Sequence, residues 1–276
     1  MADNRPIGVF DSGVGGLSVW REIVRQLPRE STIYVADSAH CPYGPRPAAE
    51  IIQFSTEITR FLLAQGAKMI VVACNTASAA ALKQLRATFD VPVVGMEPAV
   101  KPAAQATRTG HIGVLATEGT FQGELFNRTT RTYARHVMVH RQVAHGLVSL
   151  VEGGDFSGAA AESLLRHHLL PLMAANVDQL VLGCTHYPFL LPLMRQIVGA
   201  QMEIIDPADA VAKQVRRVLD SRAACADGAS HHRFFSSGDT QPLKKLLAHV
   251  DCANAEINRV QWQTNSPTHV MLGSVE

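Results

Sequence analysis

The sequence predicts an α/β fold made of two similar lobes, each built on a largely parallel sheet flanked by helices. Short apolar runs alternate along the chain with longer segments of helical spacing, which is the pattern of strands joined by crossover helices. The runs consist almost entirely of apolar or β-branched residues, as is typical of parallel strands that helices cover on both faces. Two pairs of similar segments recur at offsets of 105 and 110 residues, and this repetition predicts the two lobes.

Nine apolar runs predict the strands, and six periodic segments predict the helices between them. The predicted strands are Ile7–Phe10, Ile33–Ala36, Met69–Ala73, Val91–Gly95, Ile112–Leu115, Val137–Val139, Leu180–Leu182, Glu203–Ile205 and Arg233–Phe235. The predicted helices are Gly16–Gln26, Pro47–Gln65, Ala77–Phe89, Gly158–Met173, Pro188–Ile197 and Ala208–Ser221. Pro47 suits a first helical turn, where its missing N–H group costs no hydrogen bond.

The internal repeat consists of two matched pairs of segments. Ile7–Phe10 resembles Ile112–Leu115, and Met69–Thr76 resembles Gln179–His186. Both pairs keep their order and nearly their separation. They therefore predict two related lobes, each of which presents one cysteine at the end of a strand.

Prolines mark the predicted boundaries between the lobes. The segment Glu97–Pro102 contains two prolines and is the candidate linker into the second lobe. Asp206 and Pro207 follow the last strand of that lobe and return the chain to the first one. The predicted first lobe comprises residues 1–97 and 207–276, and the second comprises residues 98–206.

Composition and charge exclude several classes of function. The 276 residues carry 25 Lys plus Arg against 24 Asp plus Glu, and a net charge of +1 gives no electrostatic footprint for nucleic acid or an anionic membrane. No apolar stretch approaches the ~18 residues of a membrane-spanning helix, and the polar start is unlike a secretory signal. We therefore expect a cytoplasmic protein that binds neither nucleic acid nor membrane.

The cysteine count points to free thiols rather than to a disulfide framework or a metal site. The five cysteines are an odd number, and none of them forms a Cys-x-x-Cys pair. A reducing cytoplasm is the simplest environment for such a chain. The adjacent pairs His167-His168 and His231-His232 lack the i, i+4 spacing of metal ligands on a helix, and the chain has no His-Glu-x-x-His motif, so the sequence predicts no metal centre.

Two turn-rich segments follow predicted strands. Residues 11–16, Asp-Ser-Gly-Val-Gly-Gly, join a strand to a helix, and such a glycine-rich turn offers backbone N–H groups to an anion. Residues 37–45 form a loop rich in proline and glycine. Each segment has a simpler interpretation, as a tight turn or as a connector. Their position at the carboxyl edge of a sheet, where open α/β sheets bind ligands, also makes them candidate ligand loops.

Two cysteines occupy matching positions in the repeat. Cys74 follows one buried strand and precedes Asn75 and Thr76, whereas Cys184 follows another and precedes Thr185 and His186. A cysteine that ends a strand is often only a small core residue. Its recurrence with hydrogen-bonding neighbours favours a role in chemistry.

Two facing thiols suit the inversion of a stereocentre by proton transfer. One face of the carbon needs a base and the other an acid, and the roles exchange in the reverse reaction. A thiol has a reference pKa near ~8.5, so one cysteine can be a thiolate while the other stays protonated. Asp11 near one thiol, and Glu152 or His186 near the other, would orient the thiols or relay protons.

Two other classes of function stay open on these residues. A cysteine hydrolase would use Cys184 with His186 as a dyad, although the sequence supplies no clear third member. A two-lobed amino-acid binder would tolerate the loss of both cysteines. The chain shows no Walker-type glycine loop and no recognisable pyridoxal lysine, so no cofactor is predicted.

Four segments resemble those of glutamate racemases, within the cofactor-independent aspartate/glutamate racemase superfamily. They occupy residues 7–18, 37–44, 73–78 and 182–188, in the order found in that family. Ala-Cys-Asn-Thr-Ala-Ser and Leu-Gly-Cys-Thr-His-Tyr-Pro are the most specific of them. The resemblance implies two α/β lobes with the active site in the cleft between them.

The resemblance also implies an activity and its residues. The family interconverts L- and D-glutamate without cofactor or metal and supplies D-glutamate for bacterial peptidoglycan, and its members are often homodimers. A racemase for aspartate or another amino acid is the alternative within the superfamily. By family analogy Cys74 serves the D-enantiomer and Cys184 the L-enantiomer. Asp11, Glu152 and His186 match auxiliary acid/base positions. The residues that match substrate contacts are Asp11, Ser12, Tyr43, Gly44, Asn75, Thr76, Thr185 and His186, with Thr117 as a further candidate.

Overall fold

Two sheets of mainly parallel strands form the framework of the computed structural model, which describes residues 2–262 and 271–273. The first sheet contains β1 (Ile7–Asp11), β2 (Thr32–Ala36), β3 (Met69–Val72), β4 (Val93–Gly95), β9 (His232–Ser236), β10 (Ile257–Gln261) and β11 (Met271–Gly273). The second contains β5 (His111–Ala116), β6 (Met138–Val143), β7 (Gln179–Gly183) and β8 (Glu203–Ile205). The strand orders are β11-β10-β9-β2-β1-β3-β4 and β6-β5-β7-β8. Among the strands of the described residues, only β10 and β11 pair antiparallel, so the predicted fold class is confirmed.

Helices connect and cover the strands. They are α1 (Leu17–Gln26), α2 (Ala48–Ala64), α3 (Asn75–Thr88), α4 (Val100–Ala106), α5 (Glu118–Gln122), α6 (Glu124–Tyr133), α7 (Leu147–Gly153), α8 (Ala159–Ala174), α9 (Leu191–Val198), α10 (Ala208–Ser221) and α11 (Gln241–His249). Short 3₁₀ turns occupy Tyr187–Leu190 and Gly199–Gln201. No described helix combines the length and the apolar character needed to cross a membrane.

The two segments that repeat in the sequence also pack in the same way in the two lobes. Gly8 of β1 pairs with Ile70 of β3, and Gly113 of β5 pairs with Leu180 of β7, so the central strands of both sheets have the same register. A Cβ atom on either glycine would lie 3.1–3.3 Å from three side chains. Each side chain that faces Gly113 comes 110 residues later in the sequence than the corresponding side chain that faces Gly8. Those neighbours are Ile70, Ala67 and Leu62 for Gly8, and Leu180, Val177 and Leu172 for Gly113.

Each of the predicted strands and helices overlaps an observed one, but several elements were not predicted. The prediction that Glu97–Pro102 is a linker is wrong for its second half, since α4 begins at Val100. Pro102 lies in the first turn of this helix, where proline is tolerated. Helix α6 buries only Phe126 and therefore shows no apolar period. The other elements that sequence patterns missed are α5, α7, α11, β10 and β11.

The lobes correspond to the two sheets. The first sheet takes its strands from residues 7–95 and 232–273, and the second takes its strands from residues 111–205. The expected division at 97/98 and 206/207 stays a prediction, and the part of the first range that comprises residues 263–270 and 274–276 lies outside the described residues. One continuous apolar core runs through both lobes, from Val19 and Ala212 to Leu147 and Leu182.

The topology places the candidate site residues at the carboxyl ends of the strands. In parallel sheets the carboxyl ends of neighbouring strands share an edge, and there the loops that bind ligands are found. At this edge of the first sheet, β1 ends at Asp11 and β3 is followed closely by Cys74. At the same edge of the second sheet, β5 is followed by Thr117 and β7 by Cys184.

Candidate active site

A narrow cavity lies between the carboxyl ends of the two sets of strands. Its volume is about 20 Å³, which admits a water molecule but not an amino acid. The cleft must therefore widen before a larger ligand enters. The cavity is lined by Ser12, Pro42, Tyr43, Gly44, Cys74, Asn75, Thr76, Thr117, Val148, Cys184, Thr185 and His186.

The structure thus gathers most of the predicted site residues around one cavity. Asp11 and Glu152 are the exceptions, since they lie behind its wall and reach it through Ser12 and His186. Val148 of α7 lines the cavity as well and was not singled out in the sequence. Helix α7 itself escaped prediction, because it has only seven residues.

Cys74 lies at the start of α3, where its side chain caps the helix. The backbone N–H of Ala77 donates to its Sγ atom at 3.4 Å. The thiol donates to Ser12 Oγ at 3.7 Å, and Ser12 Oγ donates to Asp11 Oδ1 at 3.4 Å. These contacts form a short relay from the thiol to a carboxyl group.

Burial governs the protonation of this relay. It raises the pKa of the Cys74 thiol well above its usual range, and the nearby Asp11 carboxylate adds to the rise. Burial also raises the pKa of Asp11, against the opposing positive charge of His186 and a hydrogen bond of 2.8 Å from the Gly16 N–H. Cys74 therefore rests as a neutral thiol, which is the form that can give up a proton.

Cys184 has a second relay on the other side of the cavity. Its Sγ atom lies 3.7 Å from Nδ1 of His186, and Nε2 of His186 lies 2.7 Å from Oε1 of Glu152. The backbone N–H of Val14 donates to the same carboxylate oxygen at 2.9 Å. Both cysteines thus connect to a carboxyl group through one intermediate side chain.

The His186–Glu152 pair is charged. Burial opposes the charge on His186, but the hydrogen bonds with Cys184 and Glu152 and the negative charge of Glu152 outweigh it and hold the pKa of the imidazole well above its usual value. Burial likewise opposes the Glu152 carboxylate, whereas the contact with His186 and the Val14 N–H lower its pKa. An imidazolium therefore lies beside Cys184, where it attracts a thiolate.

The glycines of residues 11–16 make room for these side chains. A Cβ atom on Gly13 would lie 2.1 Å from Oε1 of Glu152, and one on Gly15 would lie 2.3 Å from Nδ1 of His186. On Gly16 it would meet Asp11 Cβ at 2.7 Å. None of the three glycines has positive φ. Close approach, rather than turn geometry, therefore explains the motif.

Polar contacts join the lobes around the cavity. Thr185 Oγ1 donates to Asp11 Oδ2 at 3.4 Å, and Ser18 Oγ donates to the Thr185 carbonyl at 2.9 Å. On the opposite side, the hydroxyls of Thr76 and Thr117 are 2.8 Å apart. In this narrow conformation of the cleft, hydrogen bonds therefore join the first-lobe strand ends to those of the second lobe.

Asn75 marks a place for a polar ligand. The residue is 5% exposed and lines the cavity, yet neither its Oδ1 nor its Nδ2 has a hydrogen-bond partner among the described residues. A buried amide without partners costs about 1–3 kcal/mol. A ligand with both an acceptor and a donor would remove that cost.

Asp37 holds the loop that carries Tyr43 and Gly44. Its carboxylate accepts from Tyr43 Oη at 2.5 Å, from Ser237 Oγ at 2.6 Å and from Trp262 Nε1 at 2.7 Å, and it lies 2.9 Å from His40 Nδ1. Burial opposes the negative charge of the carboxylate, but these hydrogen bonds have the larger effect, so the pKa of Asp37 is lowered. The loop is therefore a fixed wall of the cavity rather than a simple connector.

Asp37 and Cys41 are functional candidates that the pattern analysis did not rank as site residues. Both belong to the 37–45 loop, so its position after a strand was a usable signal. Nothing in the sequence shows that Ser237 and Trp262, some 200 residues away, complete the Asp37 site. Cys41 donates to Glu152 Oε1 at 3.6 Å, and the donor atoms of Cys41, Glu152 and His186 lie within 4.8 Å of one another, as a metal ion would require.

Comparisons with known proteins find close similarity over most of the chain. A model of the Asp/Glu/hydantoin racemase family matches residues 7–215. The glutamate racemase of Pseudomonas paraeruginosa is 49% identical over 248 residues, which cover 89% of this chain and 94% of that protein. A glutamate racemase isoform from Bacillus anthracis has a TM-score of 0.84 and 35% identity, and covers 94% of this chain and 98% of its own. Escherichia coli glutamate racemase, in complex with L-glutamate and the activator UDP-MurNAc-ala, has a TM-score of 0.83 and 33% identity over 92% of this chain and 97% of its own.

Replacement of Asp37 by asparagine is expected to destabilise the fold at neutral pH. An amide nitrogen would face donors that now bind a carboxylate, so we expect a loss of about 1–3 kcal/mol in the free energy of unfolding at pH 7. Because the pKa of Asp37 is lowered by folding, its contribution is present above the unfolded value near ~3.9 and is lost as the pH falls through the folded value. Urea unfolding between pH 7 and pH 3 should show the two proteins converging in acid. Asp90→Asn, at an exposed position, is the control, and equal stability at pH 7 would contradict the role of Asp37.

Replacement of Glu152 by glutamine should lower the pKa of His186. The carboxylate contributes both a hydrogen bond and a negative charge to the imidazolium, whereas a neutral amide can accept the hydrogen bond but lacks the charge. Nitrogen-15 NMR of labelled histidines, with His186→Asn to assign the signal, should show His186 doubly protonated at pH 7 in the parent protein and titrating lower in the variant. Glu162→Gln, which alters an exposed pair with Arg166, should leave that signal unchanged. A neutral His186 at pH 7 in the parent protein would refute the charged pair.

Proposed function

This chain belongs to the Asp/Glu/hydantoin racemase family, and from that membership we propose that it interconverts L- and D-glutamate by proton transfer between Cys74 and Cys184. One observation carries the two-cysteine mechanism. The two thiols line the same cavity, each follows the equivalent strand of its lobe, and each connects to its own carboxyl group. The relatives named glutamate racemase favour glutamate over aspartate as substrate.

The proposed reaction exchanges one proton at each face of Cα. A thiolate on Cys184 takes the Cα proton of L-glutamate, so that a C–H bond breaks and an S–H bond forms. The neutral thiol of Cys74 then gives its proton to the opposite face, which completes D-glutamate and leaves a thiolate on Cys74. The reverse reaction uses the same groups with exchanged roles.

The relays fit these two roles. The imidazolium of His186 attracts a thiolate on Cys184 before the proton is taken, and Glu152 keeps the imidazole oriented. On the other side of the cavity, burial raises the pKa of Cys74 and so keeps its thiol protonated until it donates the proton to Cα. Ser12 accepts the hydrogen bond of that thiol, and Asp11 accepts the hydrogen bond of Ser12. The positions of Asp11, Glu152 and His186 thus support auxiliary roles in proton transfer.

Neutral donors and amides surround the space for the substrate. Hydroxyl groups of Ser12, Thr76 and Thr185, the amide of Asn75 and the backbone near Gly44 face the cavity. Such groups bind carboxylates without a buried counter-ion. We assign substrate binding to these residues together with Tyr43, Asp11 and His186, and we add Thr117 because its hydroxyl contacts that of Thr76.

The proposal extends to the setting of the enzyme. The five cysteines are free, which agrees with a reducing cytoplasm as the location. D-glutamate from this reaction would serve peptidoglycan synthesis, as in the family. The homodimer implied by the family resemblance stays a prediction.

Racemisation in D₂O is the first test of the mechanism. With L-glutamate and no added cofactor or metal, D-glutamate should appear carrying deuterium at Cα, because its proton comes from a thiol that has exchanged with solvent. The remaining L-glutamate should stay largely protonated at early times, since a different thiol takes its proton. Chiral chromatography with mass spectrometry follows both. Deuterium entering recovered L-glutamate as fast as product forms would contradict separate bases, and the absence of inversion in folded protein would contradict the activity.

Serine at either cysteine should abolish most of the turnover. A hydroxyl is a far weaker acid and base than a thiol, so Cys74→Ser and Cys184→Ser should each lower kcat by about 10²-fold or more. Cys252→Ser changes a thiol outside the cavity and should leave turnover unchanged. The Cys184–His186–Glu152 chain also has the connectivity of a cysteine-hydrolase triad. That alternative predicts an acyl intermediate on Cys184 and no need for Cys74, whereas near-normal racemisation by Cys74→Ser would overturn the two-thiol assignment.

A further inference from the structure

Cys41, Glu152 and His186 bring together three side chains of the kinds that bind zinc. Their donor atoms are a thiol sulfur, a carboxylate oxygen and an imidazole nitrogen, all within 4.8 Å of one another. Zn²⁺ favours this mixture of ligands and takes three protein ligands in sites that keep an open position. We propose that these three residues form a binding site for Zn²⁺ and that the bound ion inhibits the enzyme.

The spacing of the donors is close to that of a metal centre. Ligand atoms about 2.0–2.3 Å from zinc in a tetrahedral arrangement lie roughly 3.5 Å apart. The Cys41 Sγ to Glu152 Oε1 distance is 3.6 Å, which fits without movement. The His186 Nε2 to Glu152 Oε1 distance is 2.7 Å, so these two atoms must separate by less than an ångström for the ion to lie between them.

The surroundings already hold the ligands in place. The Val14 N–H donates to Oε1 of Glu152 at 2.9 Å, in the manner of the outer hydrogen bonds that orient metal ligands. The missing side chain of Gly13 leaves room beside Cys41 and Glu152, since a Cβ atom there would lie 2.9 Å from the sulfur. The side chain of Glu152 is 18% exposed and Cys41 is only partly buried, so an ion can reach the site from solvent.

Binding of the ion exchanges it for two protons. The imidazolium of His186 loses the proton on Nε2, and the neutral thiol of Cys41 loses the proton that it donates to Glu152. Zn²⁺ then forms bonds to Nε2, to the thiolate and to the carboxylate, and water fills the remaining position. The charge of the ion outweighs the cost of making a thiolate in a buried place.

Inhibition by the ion rests on the proposed racemase function. The bound metal removes the proton from His186 and so takes away the imidazolium that faces Cys184. It also joins the 37–45 loop of the first lobe to α7 and to the His186 segment of the second, which fixes a cleft that must widen for substrate. Both effects slow turnover without any contact between zinc and the two catalytic cysteines.

Cobalt spectroscopy tests the site independently of activity. In the Cys74→Ser/Cys184→Ser double variant, with folding checked by circular dichroism, Co²⁺ should give a near-ultraviolet thiolate-to-metal charge-transfer band. Adding Cys41→Ser should abolish the band, and Cys41→Ala should do the same. Adding Cys225→Ser, which removes a partly exposed thiol beside Asp220, should leave it intact. A band that survives the loss of Cys41, or the absence of a band in the double variant, would overturn the proposed site.

Inhibition of racemisation provides the second readout. Each protein is compared with its own rate in the presence of a chelator, and the Zn²⁺ concentration for half-inhibition should rise about tenfold or more in Cys41→Ser, as expected when a ligand group is lost. Cys225→Ser should match the parent protein. Equal sensitivity of Cys41→Ser and the parent would place the inhibitory zinc on Cys74 and Cys184 and refute the inhibitory role. If racemisation itself is absent, the proposed function fails while the cobalt band still decides the metal site.

Discussion

One carboxylate oxygen, Oε1 of Glu152, connects the two halves of the site. It lies on α7 of the second lobe and accepts from the Val14 N–H and the Cys41 thiol of the first lobe, at 2.9 and 3.6 Å. It also pairs with His186 of its own lobe at 2.7 Å. A buried carboxylate is costly without such partners. The need to satisfy this charge therefore fixes where the glycine-rich turn, the 37–45 loop and the Cys184 segment meet.

The two thiols line the same cavity but have neighbours of different charge. Cys74 sits against a hydroxyl and a buried carboxyl group, and burial keeps its proton in place. Cys184 sits beside an imidazolium whose charge is balanced by Glu152. The two thiols thus have neighbours of opposite electrical character. Apart from the His186 imidazolium, the polar side chains that line the cavity are neutral hydroxyls, thiols and one amide.

The sequence carries the framework of this site but not its connections. The strand ends at Asp11, Cys74 and Cys184 were predictable, because buried parallel strands read as apolar runs and because the repeat aligned the two cysteines. Glu152 was different, since it lies on a two-turn helix with no apolar period long enough to recognise, so no local pattern placed its carboxylate beside His186. The Asp37 contacts with Ser237 and Trp262 join parts of the chain about 200 residues apart. Long-range pairings of this kind leave no local pattern, so only the folded chain reveals them.

The different surroundings of the two repeated cysteines have a kinetic consequence under the proposed mechanism. L- and D-glutamate have equal free energies in water, so kcat/KM must be the same in the two directions whatever the protein does. The unlike neighbours of Cys74 and Cys184 can therefore make kcat differ between the two directions only if KM differs by the same factor. The direction with the larger kcat then has the larger KM. A chain of L-amino acids cannot build a mirror plane. Under the proposed mechanism, repetition of one lobe gives it the nearest substitute, which is one thiol for each face of Cα.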